Sequence, residues 1–352
     1  MKAGIFSPYL DTLGGGERYA MTVAEGLAKS GWAVEVFWDD EALRPKLAQR
    51  FGLSLEKIEF APNIFKHANN LFRRWFQTHA YDALFYVSDG SIPFLFGRKN
   101  ILHFQVPFQK VNGKNFLNRL KLKKIDKIVC NSQFTKRFID QEFDVKSIVV
   151  YPPVDTVNFY PSQKEKVILG VSRFSKSLHA KKQEVLIDVF KKLSTAGLKE
   201  WRLILAGGLK KEDQNYFNKL IKKARGLPVE FLTNVTLSQL KKLYGQASIF
   251  WHAAGFGEDE NLHPERMEHF GIVVVEAMAA GCVPIAIGKG GIPEIIKHKT
   301  NGFLWQTKEE LESVTLQLIK SPKILKKISI RAIKDSRKFS KEVFCQKIYE
   351  II

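Results

Sequence analysis

Two glutamates in the second half of the chain have the spacing and surroundings to hold a phosphorylated ligand. Seven residues separate Glu268 from Glu276, and the apolar run 271–280 predicts a buried helix. Unpaired N–H groups at the start of that helix, near Phe270 and Gly271, attract an anion such as pyrophosphate. A carboxylate inside an apolar helix needs hydrogen-bond donors, and a ribose diol offers two. In the alternative interpretation, neighbouring backbone or a lysine satisfies Glu276, and Glu268 is a surface charge.

Three other segments place a histidine or glycines at the ends of predicted strands. His103 lies at the carboxyl end of the predicted strand 100–104, and a glycine-containing loop, 290–294, follows the predicted strand 283–287. Three consecutive glycines, 14–16, open a helix after the first strand and offer a flexible backbone turn at a positive helix end. They are not the separated glycines of a dinucleotide fingerprint, so a plain tight turn is the alternative.

The elements that must position these residues alternate between strand and helix along the chain. Such alternation predicts parallel sheets with helices on both faces, which is an α/β fold. Strands are predicted at residues 2–6, 33–38, 83–87, 100–104, 127–130, 147–151, 166–171, 202–206, 229–232, 248–252 and 283–287, and helices at 17–30, 183–196, 212–225, 237–244 and from 323 to 347.

A proline pair, Pro152 and Pro153, breaks both helix and sheet and predicts the linker between two domains. We expect one Rossmann-like domain at 1–160 and a second at 161–334. The C-terminal helix, about 335–352, is expected to pack back on the first domain. Because such folds bind ligands at the carboxyl edges of their sheets, the expected site is a cleft between the domains.

The sequence EHFGIVVVEAMAAG at 268–281 resembles the E-x7-E motif of the retaining nucleotide-sugar glycosyltransferases of family four. The resemblance covers nearly the whole chain. It implies the GT-B fold, in which two tandem Rossmann-like domains flank a cleft, with donor binding in residues 161–334. It also implies a nucleoside diphosphate sugar as the donor substrate and no cofactor.

The same resemblance assigns roles to the residues of the motif. Glu268 is implied to contact hydroxyls of the donor sugar, and Glu276 to hold the ribose. The backbone of Phe270, Gly271 and Ile272 is implied to lie against the sugar and the phosphates. These roles agree with the anion-binding helix start and the buried carboxylate inferred above.

Outside the motif, the resemblance assigns the donor diphosphate to Arg173 and Lys181. Fixed guanidinium and ammonium groups stabilise the charge that develops on a leaving diphosphate. Lys182 competes with Lys181 for this role, and the stretch 175–180 is expected to loop out between the two basic positions. His103 is implied to approach the reactive side of the donor sugar.

The glycine loops also take roles from the resemblance. Gly15 and Gly16 are implied to lie near the donor phosphate and the acceptor. Gly291, with Glu294 beside it, is implied to lie near the nucleotide base. All of these are backbone contacts, for which a glycine allows close approach.

No metal ion is predicted. The chain contains no D-x-D carboxylate pair, and its three cysteines are too few and scattered for a zinc site or a disulfide framework. The acidic insertion 258–261 either shapes the acceptor mouth or is a solvated loop. One group of residues looks like a metal cluster but fits no ligand spacing: His252, Glu258, Asp259, Glu260, His263 and His269.

The charge of the chain is unevenly distributed. The net charge is +19, and residues 60–137 contain 14 Lys or Arg against three Asp or Glu. Aromatic and basic residues alternate in 63–79 and 116–124, a mixture that suits an anionic membrane surface. Nucleic acid is the rival partner, although no nucleic-acid motif is present. The ordinary alternative is an amphipathic helix that packs its apolar face on the sheet.

The sequence therefore predicts a retaining, metal-independent hexosyltransferase that acts on a lipid-linked glycan or polysaccharide precursor. Without an export signal or an apolar run of spanning length, the cytoplasm is favoured, and attachment to the inner face of a membrane stays open. Two other function classes remain as alternatives: a nucleotide-sugar epimerase on the same scaffold and a basic nucleic-acid-binding protein.

Overall fold

The computed structural model describes residues 1–66, 71–175 and 181–352, and the chain divides into two compact units. Unit 1 comprises Met1–Pro153 and Lys341–Ile352, and unit 2 comprises Val154–Ser340. The chain leaves unit 1 directly after the proline pair. Residues 154–160, expected in the first domain, therefore belong to unit 2.

Unit 1 is built on a seven-stranded parallel sheet in the order β3-β2-β1-β4-β5-β6-β7. Its strands are β1 (Lys2–Phe6), β2 (Ala33–Phe37), β3 (Ile58–Ala61), β4 (Ala83–Val87), β5 (Lys99–Phe104), β6 (Lys127–Cys130) and β7 (Ile148–Val149). Its first five helices are α1 (Gly15–Lys29), α2 (Leu43–Phe51), α3 (Leu71–Thr78), α4 (Phe116–Leu122) and α5 (Gln133–Phe143).

Both faces of this sheet are covered, as the apolar sequence of its central strands predicts. All five residues of β4 are buried. Phe85 belongs to a core cluster that includes residues of α1 and α2, whereas Leu84 belongs to a second cluster that includes Phe143 of α5. Because successive side chains of a strand point to opposite faces, the two clusters lie on the two faces of the sheet.

Unit 2 contains a six-stranded parallel sheet in the order β10-β9-β8-β11-β12-β13. Its strands are β8 (Glu165–Val171), β9 (Arg202–Gly207), β10 (Val229–Thr233), β11 (Ala247–His252), β12 (Val283–Ile287) and β13 (Phe303–Trp305). Its helices are α6 (Gln183–Thr195), α7 (Gln214–Lys223), α8 (Leu237–Gln246), α9 (Ile272–Ala279), α10 (Ile292–Ile295), α11 (Lys308–Lys320) and α12 (Pro322–Ser336). The two sheets confirm the predicted pair of Rossmann-like domains.

The last helix, α13 (Lys341–Tyr349), belongs to unit 1 and lies against α1. The phenol of Tyr349 donates a 2.8 Å hydrogen bond to the carbonyl of Gly26, and Lys341 forms an ion pair with the buried Glu25. The predicted single helical region 323–347 is thus divided between the two units by a short 3-10 turn.

Several predicted boundaries shift for identifiable reasons. The first helix begins at Gly15 rather than residue 17, because the Glu17 carboxylate accepts a 2.7 Å hydrogen bond from the Gly14 N–H and caps the first turn. The predicted strand 147–151 shrinks to Ile148–Val149. Across the described ranges, the structure contains no helix with both the length and the apolar character needed to cross a bilayer.

Candidate functional site

Glu268 lies at the centre of a small ionic cluster in unit 2, in the loop that precedes α9. Its carboxylate accepts a 2.8 Å hydrogen bond from the Lys181 ammonium and lies 3.2 Å from Nε2 of His252. Only 18% of the Glu268 side chain and 16% of the Lys181 side chain are exposed. Glu268 comes from a loop, Lys181 from the residues just before α6 and His252 from the end of β11, so folding of unit 2 brings together three separate segments of the chain.

The electrostatics of this cluster keep Glu268 charged. Burial alone would raise the pKa of Glu268, but the charge of Lys181 and the hydrogen bond from His252 outweigh it and hold the pKa well below 4.5. A carboxylate accepts hydrogen bonds only, so Nε2 of His252 carries the proton. Nδ1 of His252 is buried and has no hydrogen-bond partner within the described residues. Sequence reasoning did not find this contact, although His252 ends a predicted strand, as His103 does.

The two adjacent lysines have different partners. Lys182 pairs at 2.7 Å with Glu258, which also accepts a 3.0 Å hydrogen bond from Arg266. Hydrogen bonds from Lys182 and Arg266 lower the pKa of Glu258. Lys181 is therefore the lysine that reaches Glu268, and the acidic insertion is tied into an ion-pair network. The predicted loop between Arg173 and Lys181 falls largely on residues 176–180, which lie outside the described residues.

The backbone that carries Arg173 is clamped by buried polar contacts. The Gln183 amide donates 2.8 Å hydrogen bonds to the carbonyl of Arg173 and to the hydroxyl of Ser172, and its own carbonyl accepts a hydrogen bond from the Tyr216 phenol. A Cβ at Gly207 would lie only 1.8 Å from the carbonyl oxygen of Ser172, so only glycine fits there. The Arg173 side chain itself is exposed and available to an anion.

The glycine pair at 290–291 supports the loop that carries Glu268. The Gly291 N–H donates a 2.8 Å hydrogen bond to the carbonyl of Glu268. A Cβ on Gly291 would lie 2.4 Å from the carbonyl oxygen of His269, and one on Gly290 would lie 2.3 Å from that of Glu268. The structure thus brings the predicted Gly291 directly against the predicted Glu268, through backbone rather than side chains.

Helix α9 has the start that the sequence predicts for an anion site. Gly271 precedes it with a φ of +114°, which favours glycine, and as a glycine it has no side chain to cap the helix. Ile272 is its first residue, and Phe270 is buried with its ring 5.3 Å from that of Phe339. Glu276, one turn along α9, is 4% exposed. The backbone amides of 270–272 therefore lie at the start of the helix that carries the Glu276 carboxylate.

In unit 1, the structure brings the glycine loop and the end of β5 together. The amide of Gln105 donates a 3.0 Å hydrogen bond to the carbonyl of Gly16, and a Cβ on Gly16 would lie 2.3 Å from Oε1 of Gln105. Gly15 begins α1 beside this contact. Gln105, which sequence reasoning did not select, is a second polar side chain, besides Glu17, that contacts the glycine loop.

His103 lies in β5, one residue before the strand ends, as the sequence predicts, and other side chains enclose it. Its ring is fully buried and stacks on Tyr19 at 3.9 Å between centroids, and Nδ1 lies 3.1 Å from the Val129 carbonyl. Burial lowers the pKa of His103 to about 3, so the ring is neutral at physiological pH. With no exposed atom, His103 gains no support from this geometry as a sugar contact.

The residues that resembled a metal cluster are engaged otherwise. No group of three or more His, Cys, Asp or Glu side chains in the described part of the chain is arranged to hold a metal ion. His252 faces Glu268, and Asp259 accepts backbone hydrogen bonds from Asn261 and Leu262. Metal independence stays a prediction for activity measurements.

Two family models match the chain. The model described as "Glycosyl transferases group 1" matches residues 158–335, about half of the chain, and the model described as "Glycosyltransferase Family 4" matches residues 13–158. Their junction falls within the first residues of unit 2. Together the two models cover most of both units.

Several curated proteins are similar in sequence. An uncharacterized glycosyltransferase of Haemophilus influenzae is 26% identical over 99% of this chain and 98% of that protein. A GDP-Man:Man(3)GlcNAc(2)-PP-Dol alpha-1,2-mannosyltransferase of Dictyostelium discoideum is 28% identical over 48% of this chain. A human alpha-1,3/1,6-mannosyltransferase is 25% identical over 64% of this chain. The match spans 35% of the length of the Dictyostelium protein and 58% of the human one.

Solved structures resemble the whole chain. The Anabaena HepE structure in complex with UDP and glucose superposes with a TM-score of 0.74 at 20% identity and covers 99% of this chain and 98% of that one. A glycosyltransferase from Rickettsia africae gives a TM-score of 0.78 at 19% identity and covers 99% of this chain and 97% of that one. Together with the two parallel sheets, these neighbours confirm the GT-B fold.

Proposed function

Because the chain belongs to the group 1 and family 4 glycosyltransferases, we propose that it moves a hexose from a nucleoside diphosphate sugar to an acceptor hydroxyl, with retention of anomeric configuration. The observation that carries the proposal is Glu268, which Lys181 and His252 keep ionised beside the helix that carries Glu276. A carboxylate held in this way is ready to accept hydrogen bonds from a sugar before the substrate arrives.

Glu268 takes the role of sugar contact in this proposal. Its Oε2 is already bonded to Lys181 and His252, and a carboxylate has further lone pairs for donor hydroxyls. The Glu268 carbonyl is fixed by the Gly291 N–H, so the loop has little freedom to turn the side chain away. A side chain that is already in position when the substrate binds lowers the activation free energy by more than its contact energy, because it does not have to be ordered in the transition state.

The donor diphosphate is assigned to the amides at the start of α9, to Arg173 and to Lys181. Charge builds up on the leaving diphosphate as the glycosidic bond breaks, and fixed cations and amides stabilise it. Arg173 presents an exposed guanidinium from a clamped backbone. Lys181 is assigned a role at both ends of the donor. Its ammonium pairs with Glu268, the proposed sugar contact, and it adds positive charge near the phosphates. Glu276 is assigned to the ribose hydroxyls.

The proposed reaction is a front-face displacement without a protein nucleophile. The bond from the anomeric carbon to the phosphate oxygen breaks, and the bond to the acceptor oxygen forms on the same face of the sugar. The acceptor proton passes to the departing phosphate oxygen. The protein supplies positioning and electrostatic stabilisation, and we propose that no metal ion takes part.

We propose a lipid-linked glycan as the acceptor class, with a polysaccharide precursor as the related choice. Support comes from the relatives whose names describe transfer of mannose from GDP-Man to a glycan on PP-Dol. UDP sugars are the second donor class to test, since a structural neighbour holds UDP and glucose.

The proposal is tested by measuring transfer from GDP-mannose and UDP-glucose to a synthetic diphosphate-linked lipid glycan, with and without EDTA. NMR of the product gives the anomeric configuration. We expect transfer with retention, unaffected by EDTA, and loss of donor binding in a thermal-shift assay for Glu276→Gln. The matched control is Glu309→Gln, which alters an exposed glutamate of α11. Conversion of the donor sugar to its epimer without acceptor would instead identify an epimerase.

A further inference from the structure

Helix α3 has the reverse of the usual amphipathic arrangement. Its buried residues are Arg74 and Thr78, and the Arg74 guanidinium donates a 2.8 Å hydrogen bond to the Ile64 carbonyl and lies over the Phe65 ring. The exposed side chains are apolar: Leu71 is 53% exposed, Phe72 75%, Trp75 44% and Phe76 67%. The sequence alternative, in which the apolar face packs on the sheet, is therefore wrong for this helix.

Helix α4, a short distance along the chain, also exposes apolar side chains. Every residue of α4 is at least partly exposed, including three apolar side chains: Phe116 is 78% exposed, Leu117 51% and Leu120 39%. The helix is nevertheless well defined, because the Asn115 side chain accepts a 2.7 Å hydrogen bond from the Asn118 N–H and caps its start.

The two helices lie over one face of the sheet in unit 1. Phe65, which contacts Arg74 of α3, and Leu122, at the end of α4, pack against the same core cluster. Helix α3 leads into β4 and helix α4 follows β5, and these strands are neighbours in the sheet. Of the seventeen large apolar side chains that the described residues expose, seven lie on these two short helices. Such a concentration marks a contact surface rather than scattered exposure.

The charge around these helices indicates the kind of partner. The flanking basic residues are exposed and outnumber the acidic ones, since residues 60–137 contain 14 Lys or Arg and three Asp or Glu. The exposed basic residues on or beside the two helices are Arg73, Lys114, Arg119, Lys123 and Lys124. Protein interfaces are depleted in lysine, whereas short helices with aromatic and leucine side chains beside lysines are typical of an anionic bilayer surface.

We propose that α3 and α4 form a docking surface for an anionic lipid bilayer. The exposed Phe, Trp and Leu side chains enter the boundary between headgroups and acyl chains, and the surrounding Lys and Arg contact lipid phosphates. The surface uses residues of unit 1 that play no part in the proposed transfer reaction. The inference therefore stands or falls independently of the proposed function.

The test is co-sedimentation of the full chain with vesicles of phosphatidylcholine alone or with phosphatidylglycerol added. We expect binding to the anionic vesicles only, weakened by raised salt because exposed charges are screened. Phe72→Ser with Phe76→Ser is expected to lower the partition coefficient about tenfold for each ring lost. Lys123→Gln with Lys124→Gln is expected to lower it about fivefold for each charge lost.

Helix α12 of unit 2 offers matched controls for both variants. It exposes two apolar residues, Ile324 and Ile330, and two lysines, Lys326 and Lys327. Replacing the isoleucines by Ser or the lysines by Gln changes the same side-chain classes elsewhere, so vesicle binding should stay as in the wild type. Circular dichroism of every variant establishes that the fold is kept.

Three results would overturn the proposal. The first is equal recovery in the supernatant with both kinds of vesicle. The second is salt-sensitive binding to a single-stranded oligonucleotide that competes with the vesicles and is lost in the Phe72 and Phe76 double variant. The third is a dimer in sedimentation velocity that the same double variant converts to a monomer without any lipid, which would make a second copy the occupant.

Discussion

Helices α9 and α3 both contradict the rule that apolar residues lie inside and charged residues outside, but in opposite ways. Helix α9 is apolar along its length and buries one carboxylate, Glu276. Helix α3 buries an arginine and exposes two phenylalanines and a tryptophan. The buried Arg74 is satisfied within the protein, by the Ile64 carbonyl and the Phe65 ring. The two proposals made above therefore rest on different features: Glu276 is assigned to a small ligand, and the exposed apolar side chains of α3 are assigned to an extended surface that removes them from water.

The largest effect is expected from removing the charge of Glu268. Glu268→Gln keeps the shape of the side chain but leaves Lys181 and His252 without an anion, and we expect kcat/KM to fall about 100-fold or more. The measurement is steady-state transfer with saturating acceptor. Fold and vesicle binding should be unchanged in this variant. A loss of less than threefold would contradict the role of Glu268.

The same cluster predicts a pH response with a defined sign. Since the folded-state pKa of Glu268 lies well below 4.5, its contribution to stability is complete above the ordinary carboxyl range and is lost as pH falls through the folded pKa. Activity should therefore show no acid limb from Glu268 above about pH 5. His252→Ala removes one hydrogen bond that lowers this pKa, so an acid limb should move upward in a pH–rate profile. An unmoved profile would remove His252 from the cluster.

A smaller effect is expected from the glycine that supports the loop. Gly291→Ala places a methyl group against the His269 carbonyl, and the forced backbone shift should cost about 1–3 kcal/mol of stability and weaken donor affinity. Urea denaturation and thermal shift with donor give the two values. The control is Gly197→Ala. Gly197 has open space around it but a φ of +99°, so this substitution introduces backbone strain without a steric clash. The proposed coupling fails if both variants weaken donor binding equally.

The last prediction tests the role that the resemblance assigns to His103. His103→Phe keeps a ring to stack on Tyr19 and removes the group that burial holds neutral. Because the unfolded chain binds a proton below about pH 6.5 and the folded chain only near 3, wild-type stability declines as pH falls. Between pH 7 and 5 the variant should gain about 2 kcal/mol relative to wild type. Loss of transfer at unchanged stability would restore His103 as a sugar contact.

Sequence reasoning worked best where apolar runs are long and continuous. The strands β4 and β12 have the bounds that were predicted, because both are buried on two faces and read as unbroken apolar segments. Strand β3 escaped prediction because its four residues lie at the sheet edge and only Ile58 is buried. A short alternating segment of this kind is hard to distinguish from a loop.

The candidate site was predictable as a set of residues but not as a set of contacts. The spacing of Glu268 and Glu276 was visible in the sequence, whereas the hydrogen bond from Lys181 to Glu268 joins residues 87 positions apart. The mixture of aromatic and basic residues in 63–79 allowed either an amphipathic helix packed on the sheet or an exposed apolar surface, and composition does not decide between them. Only the burial of Arg74 shows that the sheet receives the polar side.

The final helix makes unit 1 discontinuous in sequence. Phe344 and Ile348 of α13, together with Ile351 just after it, complete a core whose other buried members come from the first 153 residues. During synthesis, that core cannot be completed until all of unit 2 has been translated. A stop codon just before residue 341 would therefore remove part of the core of unit 1, although most of unit 1 is translated first. Unit 2 would keep all of its residues.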